Sequence, residues 1–421
     1  MSLSSISSKI SFRKKGSNVD TQRKYQNWLL VSIIFFLVAF GVTIMMYKIP
    51  TIMTQIMELL SVSASTAAWF MSIFTFTGIF FAVPAGMLIK KFGPRTVVIT
   101  SGVVVSFASL LGCFAPSVGA MCVPLLIVTR GLEGIAFVSI IACIPVMIQM
   151  CVVPSRIGTS TGIFMLGGML GAMGGGIITP TVFGMWGFEG LWIGYGVFMI
   201  LATLVFMFVV KFPKPEENEL AAPAEAASSS GKGEYAIFFK PNTLLFFAGF
   251  AVFQILLLAV LSYAPTALQQ RGMSPTMSGF VSTLPQLISI VTAIAFGAIA
   301  DATHRTKPLF LIGMLAMAVC APLALVINVP VLWVVLVVMG LLAMGVPTVA
   351  IAAYPDILGD PRKLTVGMGV LTLVQSLGQF LGSLVPSMLL GPALTNWTLC
   401  AVVLGVMGLL ATVCIFLSKF K

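Results

Sequence analysis

Polar positions along this chain are gathered into short breaks between long apolar runs, and the runs set the architecture. About twelve of them reach roughly 20 residues, the length that a helix needs to cross a bilayer. The first six lie near 28–49, 66–89, 96–114, 121–150, 158–181 and 188–210. Six more follow near 243–263, 277–300, 308–327, 330–354, 365–389 and 395–418. Between the two sets, Lys211 to Lys240 holds Pro213, Pro215, Glu216, Glu217 and Glu219 and then Ala/Ser/Gly filler, the composition of a flexible linker. The pattern predicts an all-α membrane protein of twelve transmembrane helices in two six-helix bundles. Its segments are an N-terminal tail (1–27), a first bundle (28–210), a linker (211–242) and a second bundle (243–421).

Charge gives the arrangement a direction. Lys9, Arg13, Lys14, Lys15, Arg23, Lys24, Lys90, Lys91, Arg95, Arg156, the linker lysines, Arg305, Lys307, Arg362, Lys363, Lys419 and Lys421 all fall on one side of the predicted membrane. Only Lys48 and Arg271 fall on the other, which predicts cytoplasmic termini and linker and a multi-pass protein of the plasma membrane. On this reading Lys48 and Tyr47 are interfacial anchors at the outer end of span one. Composition agrees: of 421 residues, 59% are hydrophobic and 8% charged, too few polar groups for a soluble surface. The net charge of +11 is a topology signal rather than a nucleic-acid footprint, because its basic residues are spread over loops on one side. Seven cysteines without a CxxC pair read as small packing residues. The amino end shows no cleavable signal, and its first apolar run is long enough to remain as a span.

The halves echo one another. Pro154-Ser155-Arg156 followed by Gly162, Gly171 and Gly175 matches Pro361-Arg362-Lys363 followed by Gly369, Gly378 and Gly382 at one constant offset. Tyr47 with Pro50-Thr51 resembles Tyr263 with Pro265-Thr266, and Gly86, Leu88, Gly93 and Arg95 after span two have a counterpart in Gly297, Ile299, Asp301, Arg305 and Lys307. Such duplication is a mark of transporters built from repeats.

Deep within the apolar runs lie two charges, Arg130 and Glu133, in Thr129-Arg130-Gly131-Leu132-Glu133-Gly134. Counted from Met121, they sit roughly 14 and 18 Å down span four, near mid-membrane. At i,i+3 they share a helix face and can pair. Ionisable groups at that depth are costly and usually face a cavity or partner, so the pair is either a functional site or a bridge that locks helices together. Gln254, Gln286, Gln375 and Gln379 reach the same depth, as substrate contacts or as interhelical hydrogen bonders. Gly167, Gly168, Gly171, Gly174, Gly175 and Gly176 recur along span five, where small residues permit close helix packing. No catalytic, nucleotide, cofactor or metal-binding pattern is present.

Over nearly its whole length the chain resembles the major facilitator superfamily. The loop after span two looks like that family's G-x-L-a-D-x-x-G-x-R signature, and Arg130 with Gly134 looks like its R-x-x-x-G signature. The resemblance implies a conformational latch formed by Gly86, Gly93, Arg95, Gly297, Asp301 and Arg305. Lys90 replaces the acidic residue in the first copy, which leaves Asp301 to latch against the start of span five near Gly158. Arg130-Gly131-Leu132-Glu133-Gly134-Ile135-Ala136-Phe137 is similar to the cyanate and nitroimidazole transporter-like branch, although span one lacks the Asn-x-Arg-Pro of some members. Span five lacks the Gly-Pro pair of the antiporter signature. The implied protein is a secondary transporter, not an enzyme, working as a monomer by alternating access on a small polar or anionic solute. Arg130 and the four glutamines would bind the solute, and Glu133 would carry protons. A proton-driven exporter of lipophilic drugs and a non-transporting sensor are the alternatives.

Overall fold

The computed structural model describes residues 26–211, 234–303, 305–359, 364–391 and 394–420. Its long elements are α1 (Trp28–Met46), α2 (Met53–Leu60), α3 (Ala64–Phe92), α4 (Pro94–Gly112), α5 (Cys122–Cys151) and α6 (Ile157–Val209) in the first half. The second half contributes α7 (Pro241–Gln270), α8 (Pro275–Thr303), α9 (Lys307–Val326), α10 (Val329–Val338), α11 (Val346–Leu358), α12 (Leu364–Leu390) and α13 (Trp397–Leu417). Among the described residues, 11 helical stretches are long and apolar enough to cross a membrane. One of them, α6, turns back on itself at Gly187, where φ is 67° and ψ −167°, a conformation that only glycine adopts without strain. That reversal supplies the twelfth pass. The linker beyond Lys211 and the tail before Gln26 lie outside the described residues.

The first pass departs from the sequence expectation. Pro50 was expected to mark its outer end, but the chain leaves the helix for only a few residues, forms a 3₁₀ turn at Pro50–Ile52 and continues as α2 to Leu60. A proline has no N–H to donate, so it interrupts the ladder without ending the apolar segment. The tenth pass is broken as well. α10 runs into a π-helical stretch, Met339–Ala343, before α11 begins with Pro347 in its first turn. Thr292 Oγ1 of α8 donates to the Gly340 carbonyl in that stretch at 2.8 Å.

Glycines set how closely the passes approach. A Cβ on Gly167 would stand 2.6 Å from the Phe36 carbonyl oxygen and one on Gly171 2.7 Å from that of Phe40, so the first arm of α6 (157–186) runs parallel to α1 with touching backbones. In the second half, a Cβ on Gly378 of α12 would stand 2.6 Å from the Ala251 carbonyl oxygen and one on Gly382 2.5 Å from that of Ile255, so α12 and α7 touch in the same way. Gly171 and Gly378 share the constant sequence offset, so the repeat seen in the sequence is a repeat of helix packing. The second arm (188–209) runs antiparallel to α4, with Trp192 against Gly112 and Thr203 against Gly102.

The ends of each half lie together on one face. Gln26 Nε2 donates to the Val209 carbonyl at 3.2 Å, and Asn242 Nδ2 to that of Lys419 at 2.9 Å. Hereafter this is the termini face. Among the described residues, every hydrogen bond between the halves lies toward the far face. Gln269 of α7 is the centre of this seal. Its amide donates to the Thr51 carbonyl at 2.8 Å and accepts from Thr54 at 3.1 Å and Gln55 at 3.2 Å. Thr181 and Thr276 meet at 3.4 Å, Ser72 and Ser383 at 2.7 Å, and the backbones of α6 and α8 touch at Gly176 and Gly279. Toward the termini face no such bond joins the halves among the described residues, and a Cβ on Gly86, Gly158 or Gly369 would meet open space.

Candidate functional site

The break in the first pass creates the site. In an unbroken helix the Met46 carbonyl would accept from residue 50, which is proline, and the chain has already left helical geometry after Tyr47. The freed carbonyls of Met45 and Met46 accept from Arg130 Nη1 at 2.9 Å and Nη2 at 3.4 Å. Arg130 thus caps the carboxyl end of α1, where the helix dipole favours a cation. Its Nε donates to the Phe70 carbonyl of α3 at 3.1 Å, and its guanidinium lies 4.6 Å from the centre of the Phe74 ring. Gly134 makes this reach possible: a Cβ there would stand 2.2 Å from the Phe74 carbonyl oxygen, so α3 and α5 touch beside Arg130.

Glu133 sits between two cations. Its Oε2 lies 2.5 Å from Arg130 Nη1, as the i,i+3 spacing predicts. Its Oε1 lies 2.7 Å from Lys48 Nζ. Lys48 was expected to be an interfacial anchor; it is instead fully buried, its ammonium 4.4 Å from the centre of the Trp192 ring and 3.5 Å from Ser109 Oγ. The physical reason is the broken first pass, which carries the chain on to Leu60 and keeps Lys48 inside the bundle. Arg130, Glu133 and Lys48 are each 0% exposed, so one carboxylate balances two buried cations. Charges so far from water persist only when paired and hydrogen-bonded, and here the excess is positive.

The other expected residues divide into separate groups. All partners of Arg130 and Glu133 come from the first half, whereas Gln254 belongs to the packing of the second. Gln254 is 1% exposed, its Oε1 has no hydrogen-bond partner, and its Cβ lies 2.7 Å from where a Cβ on Gly378 would stand. Gln375 and Gln379 flank Gly378 on one face of α12, half-buried, and Gln286 of α8 is half-buried too. Among the described residues, none of these four amide side chains makes a hydrogen bond. Of the latch set, Arg95 Nη2 donates to the Met207 carbonyl at 2.8 Å, and Gly93 separates α3 from α4 with φ 78°. Gly86 faces open space, a Cβ on Gly297 would stand 3.7 Å from Thr348 Cγ2, and Arg305 is exposed. The side chain of Asp301 and residue His304 lie outside the described residues. Among the described residues no group of His, Cys, Asp or Glu is placed to hold a metal ion.

Sequence reasoning missed Lys48 and the seal around Gln269. The signal for Lys48 was a lysine within reach of a buried carboxylate and two residues before a proline that an apolar segment outlasts. Gln269 offered none, since a glutamine in the predicted loop between two spans is unremarkable.

Two six-helix halves with matching packing, closed at one face, define a polytopic membrane transporter. The sequence pattern of the Major Facilitator Superfamily matches residues 31–383 and, in a second overlapping match, 268–420. The chain belongs to that superfamily. It is similar in fold to a bacterial homologue of the human lysosomal transporter Spinster in an inward-facing, occupied conformation, with a TM-score of 0.73 and 15% identity over 93% of this chain and 96% of that one. The nucleoside transporter NupG gives a TM-score of 0.72 at 13% identity, covering 94% of this chain and 100% of its own. A D-xylose–proton symporter gives 0.70 at 14%, covering 93% and 97%. No curated protein sequence matches the chain.

Proposed function

We propose that this transporter is proton-coupled and moves a small polar or anionic solute across the plasma membrane by alternating access. The observation that carries the reading is the buried Lys48–Glu133–Arg130 cluster, held where the first pass breaks, with one cation in excess. A purely structural lock between helices needs no net charge there, and a group that changes protonation couples to whichever conformation it favours. Solute recognition is assigned to Arg130 together with Gln254, Gln286, Gln375 and Gln379, and the solute meets the glutamine amides when the cavity is open to the termini face. Gly86, Gly93, Arg95, Gly297, Asp301 and Arg305 form the latch of the opposite state, the one closed at the termini face. The working unit is a monomer, since one chain supplies both halves of the pathway. Membership of the cyanate and nitroimidazole transporter-like branch is part of the same proposal and rests on the run from Arg130 to Phe137.

The test starts from a thermal-shift screen of the purified protein against small anions, neutral polar compounds and hydrophobic cations, because binding to the folded state raises apparent stability. The compound that stabilises is then loaded into proteoliposomes. Wild type accumulates it against its gradient when a proton gradient is imposed. Glu133→Gln keeps counterflow exchange, which needs only binding and alternation, and loses accumulation, which needs a proton carried in the same cycle. Intact accumulation in Glu133→Gln would remove Glu133 from the coupling.

The termini face is assigned to the cytoplasm, on the strength of its lysines and arginines. A cysteine placed at Ser229 in the linker should therefore resist impermeant maleimides in intact cells and react after permeabilisation. Labelling from outside would reverse the orientation.

A further inference from the structure

Lys48 belongs to the charge cluster through its side chain and to the far-face seal through the chain that follows it. Within seven residues of Lys48 come Thr51, whose carbonyl accepts from Gln269 Nε2 and whose hydroxyl donates to the Gly175 carbonyl at 3.2 Å, and then Thr54 and Gln55, both bonded to Gln269. Pro50 between them frees this segment from the helical ladder, so it can move without unwinding α1. The charged groups that face Lys48 are Glu133 and Arg130, both from α5. From α4 it meets the Ser109 hydroxyl and from the second arm of α6 the Trp192 ring.

Charge counting selects Lys48 among the three. Arginine does not give up its proton in proteins, and Arg130 is further fixed by three backbone carbonyls. Glu133 is the single carboxylate between the two cations, 2.5 Å from Arg130 and 2.7 Å from Lys48, and serves as counter-charge to both. If Lys48 releases a proton, the remaining Arg130–Glu133 pair is neutral, the cheapest state for a site shut away from water. We propose that the coupling proton of this transporter is carried on the Lys48–Glu133 pair, leaving from and returning to Lys48, and that the charge state of Lys48 sets the far-face seal. The proposal rests on the proton-coupled reading given above. In the conformation described here the protonated ammonium ties the segment after Tyr47 to Glu133, and the seal is closed. Loss of the proton to water, Lys48–NH3⁺ giving Lys48–NH2 and H⁺, removes the tie and lets the segment carrying Thr51, Thr54 and Gln55 withdraw from Gln269. Reprotonation while the far face is open draws it shut.

The test uses the proton itself as the probe. Spin labels on cysteines replacing Met185 and Met277, both exposed at the far ends of neighbouring helices of the two halves, report the seal in full-length protein in lipid nanodiscs. In wild type the label separation should lengthen as pH rises, along a single titration. Lys48→Arg keeps a permanent charge, so the short separation should persist at every pH. Lys48→Met mimics the deprotonated side chain, so the long separation should persist at every pH. A variant that titrates with the wild-type midpoint would overturn the proposal, as would a wild type whose separation ignores pH. Proton-driven accumulation that survives unchanged in Lys48→Arg would overturn it too while leaving proton-coupled transport standing, because the carrier would then use another group.

Discussion

Glu133→Ala should be among the most destabilising single substitutions in the first half, with a loss of about 3–5 kcal/mol in unfolding free energy. That is the usual consequence of removing one member of a buried ion pair and leaving its partner without a counter-charge. Here two cations would be left, Arg130 and Lys48, each 0% exposed. Lys48→Met removes a cation and preserves a neutral Arg130–Glu133 pair, so its loss should be smaller, about 1–3 kcal/mol for one carboxylate oxygen left without its donor. Unfolding of both purified variants in the same detergent ranks them. Equal losses would mean that packing, not charge, holds α1, α3 and α5 together at this point.

Gly279→Val should prevent the far face from closing. A Cβ at that position would lie 1.8 Å from the Gly176 carbonyl oxygen, a distance no packing tolerates, and both partners are backbone in long helices. Overpacking of this kind costs about 1–3 kcal/mol. Because the contact exists only when the halves meet, that cost falls on the sealed conformation alone. Its population relative to the open one should drop by about 5- to 150-fold, at 1.4 kcal/mol per factor of ten. Transport should fall with it. Gly194→Ala, where the added Cβ meets nothing within 4 Å, serves as the control and should leave both conformation and transport unchanged.

The twelve passes and their duplication were legible because both are written in repeated local signals: runs of bilayer length, and prolines and glycines at a constant offset. Arg130 and Glu133 were legible for the same reason, as charges with no business at mid-depth unless paired. What lay beyond the sequence was long-range. Whether Pro50 ends a pass or merely breaks it depends on what accepts and donates at the gap, and the answer is a guanidinium 80 positions later. Lys48 was misplaced at the interface as a consequence. The glutamines show the opposite case. Their depth was read from the sequence, yet the grouping of Gln254, Gln375 and Gln379 around Gly378 in the second half follows from glycine-mediated contact between α7 and α12. The seal at Gln269 joins three polar side chains and one backbone carbonyl from two halves, and no local pattern marks such a meeting.

Alternation between the faces is the claim on which the rest depends, and two label pairs measured in one protein test it directly. Met185 with Met277 reports the far face, and Thr159 with Ala302, exposed near the other ends of the same two helices, reports the termini face. Measured by pulsed spin resonance in nanodiscs, the introduction of Gly279→Val should lengthen the far-face separation and shorten the termini-face separation together, because rigid halves rocking about the centre cannot open at one end without closing at the other. A far-face separation that lengthens while the termini face stays as it was would mean a local loosening of one seam, and would contradict alternating access by this chain.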